Sequence, residues 1–225
     1  MKRFYLMLGV LTLALGGMLV YLLQTNPSAP RAATQAPTTV VDDGFRGNTL
    51  GSDSAPVEIV EYVDFECPIC ASFAVIQMPT IKEQLIATGK VRWRFRDFPL
   101  SIHKYSRYSA HAAQCAGEQG KFFEMQDQLF YNHSWAQTGK NPTGLFRDLA
   151  KAAGADVARY DACMASGRFA SRIEFSLQEG LQRNVNGTPT FFVNGTELRS
   201  SRLPTSDDFK NMVDGLTAPP PSRRK

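Results

Sequence analysis

Residues 57–70 read Val-Glu-Ile-Val-Glu-Tyr-Val-Asp-Phe-Glu-Cys-Pro-Ile-Cys, and the change of character along this stretch decides the fold. Val57 to Asp64 is rich in β-branched and aromatic residues, the pattern of a strand buried on at least one face. From Cys67 to about Thr88 the spacing becomes helical, and Gly89 closes it. Pro68 falls where a first-turn proline is tolerated, because the N–H it lacks would have had no partner. The two cysteines therefore open a helix that follows a strand.

Downstream, Val91 to Phe98 alternates apolar and charged residues, the period of a strand with one wet face. Arg92, Arg94 and Arg96 mark that solvated face rather than an anion site. From Ser101 to about Val185 there is no strand pattern, only helical stretches broken at Gly139 to Gly144 and at Gly154. Phe122, Phe123, Phe130, Tyr131 and Trp135 recur near helical spacing and read as core. Thr190 to Val193 reads as a short strand, Asn194-Gly195 as a tight hairpin turn and Thr196 to Ser200 as its partner. Ser206 to Leu216 reads as a closing helix. The order is that of an α/β domain with an all-helical insertion over about 101–185.

The chain has 225 residues, 43% hydrophobic and 20% charged, enough for a sizeable core and too apolar for wholesale disorder. Its net charge of +4 comes from Lys2, Arg3, Arg223, Arg224 and Lys225 at the two ends, and the body is close to neutral. Without a basic face to replace counterions along a phosphate backbone, nucleic acid is not an expected partner. Phe4 to Leu23 is an uncharged apolar run that would span about 30 Å as a helix. Residues 1–24 therefore read as an uncleaved membrane anchor. A cleaved signal peptide is the competitor, but Thr34-Gln35-Ala36, the best cleavage triplet, lies far from the apolar end. Lys2 and Arg3 place everything after residue 24 on the extracytoplasmic side, where disulfides are permitted. Residues 25–48, with Pro27, Pro30 and Pro37, read as a flexible linker, and 217–225 as a disordered tail. One domain remains, over 49–216.

At a helix start, a two-residue spacing puts one sulfur at the exposed N-terminus and the other one turn further in, close enough to bond. The partial positive charge and free N–H groups of a helix N-terminus favour a thiolate. Cys67 is then the nucleophile and Cys70 the resolving thiol. Two inert bridged cysteines are the plain competing reading. Zinc needs a second pair of close ligands, and Cys115 and Cys163 stand alone. Covalent haem attachment needs His where Ala71 stands. In an oxidising compartment Cys115 and Cys163 read as a structural disulfide of the insertion, worth roughly 4 kcal/mol in the chain-entropy model. A metal group of His103, His111 and Cys115 can be drawn but lacks a clear fourth ligand. No metal or cofactor is expected.

Leu50-Gly51 through Ala55-Pro56-Val57, then Glu61 to Cys70, Ala112 to Phe122 and Gly187-Thr188-Pro189-Thr190-Phe191-Phe192-Val193-Asn194-Gly195 together resemble the DsbA-like branch of the thioredoxin superfamily. The resemblance covers roughly the whole domain, with its motifs in the right order. It implies a thioredoxin fold and makes Cys67 and Cys70 a redox pair. It makes Pro189 a cis-proline facing that pair, with the Thr188 carbonyl and N–H free to bind an extended substrate segment. It also makes Glu61 a partly buried carboxylate beneath the pair, able to exchange protons with Cys70; Glu58, one strand turn away, leaves the inward phase open. A surface glutamate and an ordinary strand-opening proline are the competing readings of Glu61 and Pro189.

Two departures bear on mechanism. Strong oxidants of the branch carry His where Ile69 stands, and Glu66 adds a negative charge directly before Cys67. Both imply a less oxidising disulfide. The implied activity is extracytoplasmic thiol-disulfide exchange with cysteines of exported proteins, in the oxidase direction. The pair would be reoxidised by a membrane redox partner, which the resemblance suggests is quinone-linked. A reductase and a peptide-binding, chaperone-like module are the alternatives.

Overall fold

The computed structural model describes residues 16–18, 36–37 and 39–218. The membrane helix read at 1–24 lies outside the described residues except for 16–18, as do half of the linker (25–35 and 38) and the tail from 219. Among the described residues no helix is long and apolar enough to cross a membrane.

The sheet is built on β2 (Val57–Val63), which pairs in parallel with β3 (Val91–Asp97) and antiparallel with β4 (Thr190–Val193). β1 (Asn48–Leu50) and β5 (Thr196–Glu197) add antiparallel edges, giving the order β1-β3-β2-β4-β5. β2 is buried on both faces, as expected of a central strand. Val57, Ile59 and Val63 enter the larger core, Val60 and Tyr62 the smaller one behind the sheet. β1 straddles the expected start of the domain. Gly51 follows it with φ +92°, and a Cβ there would stand 2.4 Å from the Val91 carbonyl oxygen.

The crossover from β2 to β3 begins with α1 (Pro68–Ile76) on the larger core. Its Phe73 ring lies 4.8 Å from Phe191, 6.0 Å from Phe209 and 6.1 Å from Trp93, centroid to centroid. The helix does not run unbroken to Thr88. It breaks at Gln77 because Pro79 has no N–H to continue the ladder, and resumes as α2 (Met78–Ile81) and a π turn over Lys82–Ile86. Gln77 Oε1 instead accepts the Ser206 N–H at 2.8 Å, tying the break to α8 (Ser206–Thr217), whose start is closed by a Thr205/Asp208 capping box.

Five helices fill the stretch between β3 and β4: α3 (Ser106–Gly117), α4 (Phe122–Tyr131), α5 (Thr143–Ala152), α6 (Val157–Ser166) and α7 (Ala170–Gln182), with a 3-10 turn at His133–Gln137. α7 covers the back of the sheet. Gly180 sits against Phe98 there, where a Cβ would lie 2.7 Å from the ring.

This cover corrects the wet face expected of β3. Arg92 and Arg94 are partly exposed, and Arg94 donates to Glu58 Oε2 at 2.5 Å. Arg96 is 2% exposed and pairs with Glu179 of α7. Its Nη1 donates to Phe45 O at 3.1 Å, and Tyr62 donates its hydroxyl to Glu179 Oε1 at 2.8 Å. The hairpin turn at Asn194-Gly195 has positive φ at both residues, as a two-residue loop requires. β5 is shorter than expected. The pairing ends with Leu198 N–H to Phe191 O at 2.8 Å, because Pro189, next in register opposite Ser200, has no N–H.

Candidate active site at the Cys67 helix terminus

Cys67 is the N-cap of α1, with φ −74° and ψ 121°, and Pro68 follows in the first turn. The turn that delivers it from β2 is fixed by Asp64. The Asp64 carbonyl accepts the Cys67 N–H at 3.1 Å. Its carboxylate accepts Glu66 N–H at 2.8 Å and Leu100 N–H at 2.9 Å, and lies 2.7 Å from His103 Nδ1. Asp64 and His103 are therefore partners that hold the approach to the pair, a role motif reading did not assign. The signal was an acidic residue at a strand's end three positions before a cysteine.

Cys67 and Cys70 are both free thiols. Cys67 keeps 5% of its surface and Cys70 none. The Cys70 thiol hydrogen bond holds the Cys67 pKa down to about 5, with help from the Ile69 and Cys70 backbone N–H groups and against burial. Burial drives the Cys70 thiol well above its usual range, and the neighbouring Cys67 sulfur pushes the same way. A reactive, partly reachable sulfur and a sealed, protonated one are thus set one helical turn apart.

The Thr188–Pro189 peptide is cis, and Cys67 Sγ lies 3.5 Å from the Thr188 carbonyl oxygen. An open cleft of about 430 Å³ runs from Ile69 past Thr188 and Pro189 to Leu198 and Leu203. The backbone edge ahead of β4 lines this cleft and lies beside the sulfur.

Glu66, expected to oppose the thiolate, turns its carboxylate to the Tyr105 N–H at 2.5 Å, and burial raises its pKa. Both reduce the negative charge it directs at Cys67. Glu61 is 2% exposed and faces the larger core on the α1 side of the sheet, while Glu58 points to the other face and pairs with Arg94. The surface reading of Glu61 is thereby overturned. Trp93 Nε1 donates to its Oε2 at 3.0 Å, and burial pushes its pKa up to about 8.

The Cys115 and Cys163 sulfurs are bonded, 2.00 Å apart with Cα atoms at 5.7 Å, and tie α3 to α6. His111 lies beside them, within 4.8 Å between ligand atoms. His103, the other histidine of the drawn metal group, is instead held at Asp64. Both sulfurs being bonded to each other leaves the cluster a single imidazole, which does not make a metal site. His111 is fully buried with neither ring nitrogen hydrogen bonded, and burial lowers its pKa to about 4.

A parallel β-α-β start whose crossover helix opens on two cysteines, faced by a cis-proline before the next strand and interrupted by a helical insertion, defines the thioredoxin fold in its DsbA-like form. The chain belongs to the thioredoxin family: a model of that family matches residues 46–215. It is 38% identical over 154 residues to a protein of Salinispora tropica named Na(+)/H(+) antiporter NhaA 3. That match covers 68% of this chain but 22% of that protein, so the chain spans about a fifth of the relative's length. It is 29% identical to a probable disulfide bond formation protein D of Bacillus cereus, over 74% of this chain and 76% of that one. The oxidised crystal structure of BdbD from Bacillus subtilis is similar with a TM-score of 0.67 at 25% identity, covering 80% of this chain and 97% of that one.

Proposed function

We propose that this chain is a thiol-disulfide oxidoreductase that oxidises cysteines of exported proteins. The observation that carries it is the pairing of a thiolate-favouring Cys67 with a sealed Cys70, the former 3.5 Å from the Thr188 carbonyl. A substrate thiolate attacks Cys67 of the Cys67–Cys70 disulfide, forming a mixed disulfide and releasing Cys70, which takes a proton. Thr188 and Pro189 present the backbone edge on which an extended substrate segment lies. A second substrate thiolate then attacks its own sulfur in the mixed disulfide, and Cys67 leaves as thiolate. A leaving group with a low pKa departs faster, and a stabilised thiolate makes the disulfide more oxidising. Glu61, on the α1 side of the sheet, is the group proposed to trade the proton of Cys70.

The reading places the domain outside the cytoplasm, tethered by residues 1–24 and reoxidised by a membrane redox partner. Support comes from Lys2 and Arg3 ahead of an apolar run, and from the Cys115–Cys163 disulfide, which suits an oxidising compartment.

The test is turnover of a dithiol peptide together with equilibration against glutathione. Cys67→Ser should abolish turnover and Cys70→Ser should trap a mixed disulfide. A potential near −120 mV fits an oxidase, and one near −270 mV would assign a reductase instead. Full biological activity in both serine variants would make the domain a peptide-binding module.

A further inference from the structure

The helical insertion brings to the reacting sulfur a titratable side chain that no sequence motif singles out. α4 runs against α1 and ends at Tyr131, and the 3-10 turn follows. The turn that His133 opens packs against α1, the helix that starts at Cys67, and the backbone of Phe65 and Glu66, the two residues that lead into Cys67, acts on its half-buried ring. Trp135 holds it edge-on with centroids 5.7 Å apart. Trp135 is itself fixed by its Nε1–H to Leu129 O at 3.1 Å and by the Phe146 ring at 4.8 Å. Nε2 of His133 is buried without a hydrogen-bond partner. A buried polar atom without a partner is unfavourable, so its place beside a thiolate-bearing turn needs a reason.

We propose that His133 is a positioning residue for the redox pair, supplying from the insertion the imidazole that position 69 lacks and favouring the thiolate of Cys67. The proposal deepens the function proposed above and rests on it. When a substrate dithiol reduces the Cys67–Cys70 disulfide, the substrate loses two electrons and two protons. One proton stays on Cys70. The other goes to His133 in acid and to solvent at higher pH, while Cys67 remains a thiolate.

The charged groups around the ring are consistent with this division. The charges of Cys67 and Asp64 both act on it, and Asp64 is engaged with His103 at 2.7 Å. Glu66 is turned to Tyr105, and Lys104 Nζ lies over the Tyr105 ring at 4.8 Å. Burial pulls the His133 pKa down, while the Phe65 carbonyl and the charge on Cys67 act upward. The imidazolium therefore gains population below the usual histidine range, and its effect on Cys67 grows as pH falls.

The experiment is the rate of Cys67 alkylation by iodoacetamide in the reduced full chain between pH 3 and 9, for the parent, His133→Gln and His133→Lys, with melting temperatures recorded. His133→Gln should raise the alkylation midpoint by about half a unit. It should also lower the ratio of reduced to oxidised protein in glutathione buffer about 1.5-fold at pH 5 and little at pH 8. His133→Lys should restore the midpoint. An unchanged midpoint in the Gln variant, or an equal change of the equilibrium at both pH values, overturns the proposal. If the Gln variant does not fold, the Lys variant decides: a midpoint at or below the parent's supports it, and a rise overturns it. Alkylation reads the charge on the sulfur without turnover. A midpoint shift in a protein that oxidises no peptide would therefore sink the oxidase reading and leave His133 in place.

Discussion

Trp93 donates its indole N–H to Glu61 Oε2 at 3.0 Å inside the larger core, joining β3 to β2 through side chains as well as backbone. The indole supports one oxygen of a carboxyl that burial keeps protonated up to about pH 8.

A neutral carboxyl in the fold makes Glu61 a liability in base. Its folded pKa lies above its unfolded one, so its contribution is full below about pH 4.5 and is lost as pH rises toward about 8. Glu61→Gln keeps an oxygen for Trp93 and removes the ionisation. The stability of the variant relative to the parent should grow between pH 5 and pH 8 by on the order of 3–4 kcal/mol. Denaturant unfolding at both pH values checks it, and a difference independent of pH would mean that Glu61 is already ionised in the fold.

His111 gives the opposite slope. It is held neutral by burial with a pKa of about 4, below its unfolded value near 6.5. The stability tied to it is full above pH 6.5 and disappears as pH falls toward 4, on the order of 3 kcal/mol in all. His111→Leu should flatten that part of the acid limb. An unaltered acid profile in the variant would assign the loss to other groups.

Replacing both Cys115 and Cys163 by Ser releases a loop of separation 48 between α3 and α6. The expected loss is about 2–4 kcal/mol, read as a melting temperature lower by several degrees. The glutathione equilibrium of Cys67 and Cys70 should stay where it was. A moved equilibrium with unchanged melting would reverse that division of labour.

Gly180→Ala places a methyl 2.7 Å from two atoms of the Phe98 ring and 3.0 Å from Tyr62. Overpacking between α7 and the sheet should cost about 1–3 kcal/mol despite the gain in helix propensity. A variant as stable as the parent would show that the Phe98 ring can give way.

The junction at Cys67 was legible because three local signals coincide there: a change from strand to helical period, a first-turn proline and a two-residue cysteine spacing. Asn194-Gly195 was legible for the same kind of reason. β1 was not, since Asn48-Thr49-Leu50 has too few residues to carry a period and exists through its pairing with β3. The phase of β2 could not be read because both of its faces are buried, so Glu58 and Glu61 looked alike until Arg94 claimed one and Trp93 the other. The burial of Arg96 depends on Glu179, 83 positions away, and the approach of His133 to Cys67 is likewise made by chain folding. Such contacts leave no trace in local spacing.

Of the four cysteines, three are fully buried and Cys67 keeps 5% of its surface. The molecule thus meets its surroundings through a single chemical port, and this imposes a chronology. Every exchange begins and finishes at the same atom, Cys70 acts only between those two events, and a reagent too bulky for that opening is refused however reactive it is.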